Sequence, residues 1–321
     1  MKISVIAIFY NSHKYVKKCI DSILSQEGVD IELIAVDDCS KDDTYSLLSS
    51  YDDERMKIVR HTENRGISGA RNSGLKNITG DCFFFIDGDD YLPPLALFNL
   101  AKYYSNDVDW VQGGFAICED YDNTGRVLRE QKNRFGRYNI HNEIVENFES
   151  LEFVYIHNRL IHSKYKNVYL ENKLHEDRFW NVEVFNGLEF IVNVDTITYC
   201  YTSHLDSFSN KGKGTKRYID CSFELLKRMV KLDRCWKVMI DTFHISCIEK
   251  GVYLYGDFSK TERLEYINRL KTLNRVELDV SGFPRFLKYL HKMVDRGMPD
   301  CVIIGVTFLY KSMKRALNQI Y

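Results

Sequence analysis

Cys82-Phe83-Phe84-Phe85-Ile86-Asp87-Gly88-Asp89-Asp90 is the stretch from which the fold is read. The apolar run from Phe83 to Ile86 predicts a strand covered on both faces, and it ends abruptly in carboxylates. Asp87 and Asp89 are therefore delivered at a strand end with only Gly88 between them. Glycine lets the backbone approach a ligand closely, and oxygen ligands suit a hard cation, manganese or magnesium, of the kind that bridges to substrate phosphates. A cation held there neutralises the charge developing on a departing diphosphate. In isolation, Asp-Gly-Asp is more often a plain turn. It is not the loop of a calcium-binding helix-loop-helix, which needs more oxygen ligands at alternating positions and a closing glutamate.

Outward from this strand the same unit repeats. Residues 3–9 form a nearly continuous apolar run, and Ser12 stands where a helix cap belongs. Tyr15, Val16, Cys19, Ile20, Ile23 and Leu24 then recur at helical spacing, with Lys14, Lys17, Lys18 and Asp21 on the other face. Glu32 to Val36 reads as a second strand, and Ser40-Lys41-Asp42-Asp43 resembles a capping box for a helix from Thr44 to Tyr51. Met56 to Arg60 predicts a third strand, Ser68 to Asn77 a third helix, and Cys82 to Ile86 the fourth strand. Strands alternating with helices imply an α/β fold. Its central sheet is expected to be mostly parallel with helices on both faces, and such a sheet binds ligands beyond the carboxyl ends of its strands. The polar groups gather at those ends: Tyr10-Asn11, Asp37-Asp38 and Asp87 to Asp90.

Further along, Asp109 to Cys118 reads as another strand, Tyr121 to Tyr138 as a charged loop, and Asn142 to Lys164 as one or two helices. From Lys216 helical periodicity dominates, at 216–230, 235–254, 260–273, 284–295 and 300–319. Lys211-Gly212-Lys213-Gly214-Thr215 marks a soft boundary, dividing the chain into a catalytic domain, 1–212, and a helical C-terminal region, 213–321.

The composition bounds the function. At 321 residues and 45% hydrophobic content, the chain can bury a large core. Its nine cysteines have no C-x-x-C pair or metal-finger spacing and fit reduced thiols of a cytoplasmic protein. Met1 to Phe9 lacks a small-residue cleavage site and reads as a strand, not a signal peptide. The longest apolar run, Cys301 to Tyr310, is about half the length needed to span a bilayer. From Lys216 onward lysine and arginine number 20 against 12 acidic residues, leaving 24 against 33 before it. This basic end, with Lys311-Ser312-Met313-Lys314-Arg315, is a candidate for peripheral contact with an anionic membrane surface; solvated helix faces or a homodimer contact are the competing readings.

Asp37-Asp38 ends the second strand. A carboxylate there can accept the N3–H of a uracil ring, and it can equally serve as part of a helix-capping cluster. Taken together with it, Ser4 to Asn11, Ala35 to Thr44, Asn64 to Leu75 and Phe85 to Pro93 resemble, in order and spacing, the N-terminal half of the family 2 glycosyltransferases. That resemblance implies a GT-A fold, an inverting reaction, a UDP-sugar donor and a divalent cation, Mn2+ or Mg2+. It puts Phe9, Tyr10, Asn11 and Asp38 at the base, Arg71 near the nucleotide and diphosphate, and Asp87 with Gly88 toward the ribose. Asp89 would be on the metal. Two positions depart from the family pattern, Ile8 where proline is usual and Cys39 where glycine is usual.

More thinly, His175-Glu176-Asp177-Arg178-Phe179 resembles the family's Glu-Asp pair. It implies Asp177 as the general base that takes the acceptor hydroxyl proton, with Glu176 in reserve. Tyr199 to Asn210 resembles the stretch following the last catalytic-domain strand, with Thr202 where many members have arginine. His204 is there a candidate for the metal or diphosphate, or a structural histidine. No G-x-x-x-x-G-K-[ST] or H-E-x-x-H occurs, and nothing points to nucleic acid. The Gln-x-x-Arg-Trp motif of processive synthases is absent, so the expectation is addition of a single sugar to a glycan or lipid-linked acceptor. A non-catalytic sugar-nucleotide sensor and a sugar-phosphate nucleotidyltransferase are the alternatives.

Overall fold

A computed structural model describes residues 1–119, 126–133, 135–139, 156–169, 176–185 and 187–204, with helical positions at 220–221, 224–225, 228 and 261. The chain divides into two compact units, Met1–Ser207 and Phe208–Tyr321. Apart from those helical positions, the C-terminal helices expected from Lys216 onward lie outside the described residues, as does the glycine-lysine boundary at 211–215.

In the first unit the apolar runs become strands β1 (Lys2–Phe9), β2 (Asp30–Asp37), β3 (Met56–Arg60) and β4 (Cys82–Asp87). Between and after them lie helices α1 (His13–Leu24), α2 (Thr44–Ser49), α3 (Gly66–Leu75) and α4 (Ala96–Ala101). Pairing is parallel throughout this half: β1 with β2 and β4, and β2 with β3.

Alternation along β1 sorts the two layers. Ile3, Val5, Ala7 and Phe9 face the same core as Val16, Cys19, Ile20 and Ile23 of α1 and Leu97 and Leu100 of α4. Burying Val16, Ile20 and Ile23 contributes roughly 1.5–3 kcal/mol each. On the opposite face α3 lies close against the sheet, because a Cβ on Gly74 would sit 2.2 Å from Ile6 Cγ2. Ser4, fully buried in this strand, donates to Glu32 Oε1 at 2.5 Å and accepts the Gly80 N–H at 2.9 Å, so its hydroxyl is satisfied.

The second half of the sheet differs from expectation. Strands β5 (Trp110–Glu119), β6 (Val127–Gln131), β7 (Gly136–Asn139), β8 (Arg159–His162) and β9 (Phe190–Ser203) complete the order β3-β2-β1-β4-β8-β5-β9-β7, with β6 on β5. β8 runs antiparallel to both β4 and β5, β6 antiparallel to β5 and β7 antiparallel to β9, while β5 and β9 are parallel. The sheet is therefore mixed, parallel from β3 to β4 and between β5 and β9, with β8, β6 and β7 antiparallel to their neighbours. Two corrections follow: the segment read as a charged loop holds β6 and β7, and the helical reading through Lys164 fails at β8. Both are short, and their sequences hide them. β6 is largely exposed, and β8 carries Arg159, which is wholly buried against the Trp110 ring at 4.4 Å with hydrogen bonds of 2.8 Å to Gln112 and Asn181. Helix α5 (Glu176–Phe185) precedes β9. Among the described residues no helix is long and apolar enough to cross a membrane.

Candidate active site

At the carboxyl ends of β1 and β2 the chain turns sharply twice. Asn11 has φ 51° and Cys39 φ 63°, both in the left-handed region. Asn11 suits that conformation, and the turns are cross-tied: its N–H donates to Ser40 Oγ at 3.0 Å, and Lys41 N–H donates to Asn11 Oδ1 at 2.8 Å. Cysteine does not suit it, which is the physical meaning of the glycine usual at that position. Cys39→Gly is expected to stabilise the protein by about 1 kcal/mol, removing a left-handed penalty of roughly 1–2 kcal/mol at some cost in unfolded-state entropy. A higher urea midpoint with an unchanged slope is the measurement.

Three of the expected nucleotide contacts are placed differently by the structure. The Phe9 ring is in the core, 1% exposed, and its carbonyl accepts the Asp38 N–H at 2.9 Å, so no ring face is offered to a base. Gly88 is required by close packing of the chain on itself: a Cβ there would lie 2.4 Å from Phe9 Cδ1 and 2.6 Å from the Ile8 carbonyl oxygen. Asp38 is turned inward. Its Oδ1 accepts from Arg65 N–H at 2.8 Å and His61 Nδ1 at 2.6 Å, and its Oδ2 from Gly66 N–H at 2.8 Å. A carboxylate has about four acceptor sites, so three are taken in shaping the entry to α3. Because a carboxylate only accepts, Nδ1 of His61 donates to Asp38, and Nε2 lies 2.8 Å from Ser73 Oγ. Tyr10, half exposed, stays available at the rim.

The second cluster is built from three elements. Arg71 on α3, 7% exposed, donates from one terminal nitrogen to Asp87 Oδ1 at 3.0 Å and from the other to Glu176 Oε1 at the start of α5. The guanidinium of Arg71, the residue expected near the nucleotide and diphosphate, pairs with these two carboxylates, which hold it charged against the opposing effect of burial. Glu176 is thereby ion-paired, and its neighbour Asp177 makes no ion pair among the described residues. Burial and then the Glu176 charge push the Asp177 carboxyl up to about 7, against Arg178 and Arg71, which hold it down. Asp177 Oδ1 also accepts the Arg178 N–H at 2.8 Å. Glu176, Asp177 and Arg71 line one small cavity with Phe85, Ile156 and Trp180.

In the third cluster, His204 Nε2 meets Asp89 Oδ2 at 2.9 Å, 115 residues apart in sequence, and the Tyr15 ring of α1 lies 5.1 Å from the imidazole. Among the described residues Asp89 and His204 could hold a divalent cation, the carboxylate being an oxygen donor suited to manganese or magnesium. Among the described residues no group of three or more His, Cys, Asp or Glu is arranged to hold a metal alone. Asp90 is buried, with Tyr199 O–H on Oδ2 at 2.5 Å and Thr202 N–H on Oδ1 at 2.7 Å. Sequence reasoning missed the parts played by His61 and Tyr199; both act through partners whose proximity only the fold creates.

A mixed sheet of this order, with acidic groups at the ends of β2 and β4 and acids on a helix opposite them, is a GT-A-like fold. Residues 4–167 match glycosyl transferase family 2, and the chain belongs to that family. It is 27% identical over 216 residues to the uncharacterized glycosyltransferase EpsJ of Bacillus subtilis, covering 64% of this chain and 62% of that protein. It is 28% identical over 131 residues to the Escherichia coli UDP-Glc:alpha-D-GlcNAc-diphosphoundecaprenol beta-1,3-glucosyltransferase WfgD, covering 40% of this chain and 52% of that one. The chain thus spans less than two thirds of the length of either relative. Among solved structures its fold resembles S. aureus TarS 1–349 in complex with UDP-GlcNAc, with a TM-score of 0.72 and 18% identity over 97% of this chain and 92% of that one.

Proposed function

We propose that this chain is an inverting transferase. It moves one sugar from a UDP-sugar to a glycan or lipid-linked acceptor in surface polysaccharide assembly, in a metal-dependent single displacement. The observation that carries the reading is the pairing of Arg71 with Glu176 and Asp87, which ties the helix bearing Asp177 to the strand end bearing the donor-side carboxylates. Asp177, raised to about 7, is a carboxylate suited to accept a proton near neutral pH. It takes the acceptor hydroxyl proton as that oxygen attacks the anomeric carbon from the side opposite the leaving diphosphate. Arg71 orients Asp87 and Glu176, and the Glu176 charge adds to the burial that raises the Asp177 carboxyl. Asp89 and His204 would hold Mn2+ or Mg2+, which supplies charge neutralisation at the departing diphosphate.

The names of the relatives agree with this reading. WfgD acts on a diphosphoundecaprenol-linked sugar with UDP-Glc, and TarS was solved with UDP-GlcNAc. Screening a panel of nucleotide sugars for metal-dependent hydrolysis or transfer tests it; binding of UDP with no turnover of any donor would favour a sensor instead. Asp89→Ala is expected to abolish the metal-dependent activity while leaving the fold intact by circular dichroism. The basic segment Lys311 to Arg315 is assigned to peripheral contact with an anionic bilayer, and flotation that ignores phosphatidylglycerol content would retire that part.

A further inference from the structure

Gly113-Gly114 in β5 sets up an irregularity with consequences at the site. A Cβ on Gly113 would lie 1.8 Å from Thr198 Oγ1, so glycine alone admits β9 at this distance. Gln112 and Phe115 are three positions apart on β5, while their partners Asn193 and Tyr199 are six apart on β9. The surplus residues bulge β9, and bulges re-aim the side chains that follow.

Beyond the bulge β9 is fastened to the loop that follows β4. Tyr91 and Cys200 exchange backbone hydrogen bonds of 3.2 and 2.9 Å as an isolated antiparallel bridge. Thr202 N–H donates to Asp90 Oδ1 at 2.7 Å. Tyr199, wholly buried, makes two contacts with one hydroxyl: it donates to Asp90 Oδ2 at 2.5 Å and accepts the Asp87 N–H at 3.3 Å. Two residues past Thr202, His204 reaches Asp89.

We infer that Tyr199 is a positioning residue. Its hydroxyl fixes the Asp87–Asp90 loop on β9, so that Asp89 and His204 converge on one point. The inference rests on the reading of Asp89 and His204 as the cation-holding pair. Asp87 is also held by Arg71 and Asp90 by the Thr202 N–H, but the Tyr199 hydroxyl is the group that touches both ends of the loop. The Tyr199 ring is independently wedged between Phe84, 6.3 Å away, and His157, stacked at 4.7 Å. Tyr199→Phe therefore removes the tether and keeps the packing.

UDP affinity, measured by titration calorimetry across a range of Mn2+ concentrations, tests this. In Tyr199→Phe, UDP binding without metal is expected to match the unaltered protein, while the Mn2+ concentration needed for the metal-assisted gain rises about tenfold or more, as for loss of a group that orients a ligand. Asp90→Asn, which keeps the shape but presents an amide N–H to one of the two donors, is expected to do the same and serves if Tyr199→Phe does not fold. An unchanged Mn2+ dependence in a folded variant would overturn the inference alone. Absence of Mn2+ dependence in the unaltered protein would overturn the metal reading, and this inference with it.

Discussion

Asp177→Asn is expected to lower turnover by about 10²–10⁴-fold while leaving UDP affinity nearly unchanged, because it removes a proton acceptor and keeps the shape of the site. Full transfer activity in the purified variant would remove Asp177 from the mechanism. On the proposed mechanism Asp177 must be ionised to act as the base. With its carboxyl at about 7, turnover rises as pH rises through that value and levels off above it. The groups facing it set this midpoint: Glu176 adds to the upward shift from burial, and Arg178 and Arg71 oppose it. Stability has the opposite sign. The folded carboxyl binds its proton more tightly than an unfolded aspartate near 3.8, so ionising it costs folded-state stability progressively between those values, and fully above about 7. Asp177→Asn should thus melt higher than the unaltered protein at pH 8, with the advantage shrinking as pH falls toward 4. A variant that is more stable and inactive is the pattern of a group strained for function.

Arg71→Ala is the second large effect. Removing a buried cation strands its partners, and loss of one member of a buried ion pair costs about 3–5 kcal/mol. Asp87 and Glu176 keep side-chain exposures of 31% and 18%, so water offsets part of that, and about 3 kcal/mol is expected in urea unfolding at pH 8. Turnover should fall as well, and its pH midpoint should rise, since Arg71 is one of the two cations holding Asp177 down. Arg71→Lys restores the charge but not the two-pronged geometry that spans Asp87 and Glu176, so it should recover stability better than activity. An Arg71→Ala protein of unchanged stability and unchanged pH profile would show that the bridge between α3, β4 and α5 is incidental.

Much of the first half of the fold was legible. β1 to β4 and α1 to α3 begin and end within a few residues of where apolar runs and helical spacing put them, most clearly where β1, β2 and β4 are buried nearly throughout and α1 buries an apolar face. The order of acidic strand ends was legible for the same reason. The second half was not. Val127 to Gln131 is exposed along nearly its whole length, so no hydrophobic alternation marks it as a strand. Arg159 sits in the core, where its charge is met by the Trp110 face, Gln112 and Asn181, so a hydropathy pattern cannot find β8.

By itself the sequence determined the repeated strand-helix units, the family they belong to, and the presence of carboxylates at strand ends with a Glu-Asp pair far downstream. Which carboxylate is able to do what was decided by tertiary structure. Asp38 is absorbed by His61 and the turn into α3, and Arg71 by two acids. Asp89 meets His204, and Asp90 is given to Tyr199 and Thr202. The physical reason is that an ionisable group's role depends on its burial and on the donors within about 3 Å of it. Those donors arrive from strands and helices dozens to more than a hundred residues away, brought by a mixed sheet order and a bulged register that no local pattern encodes.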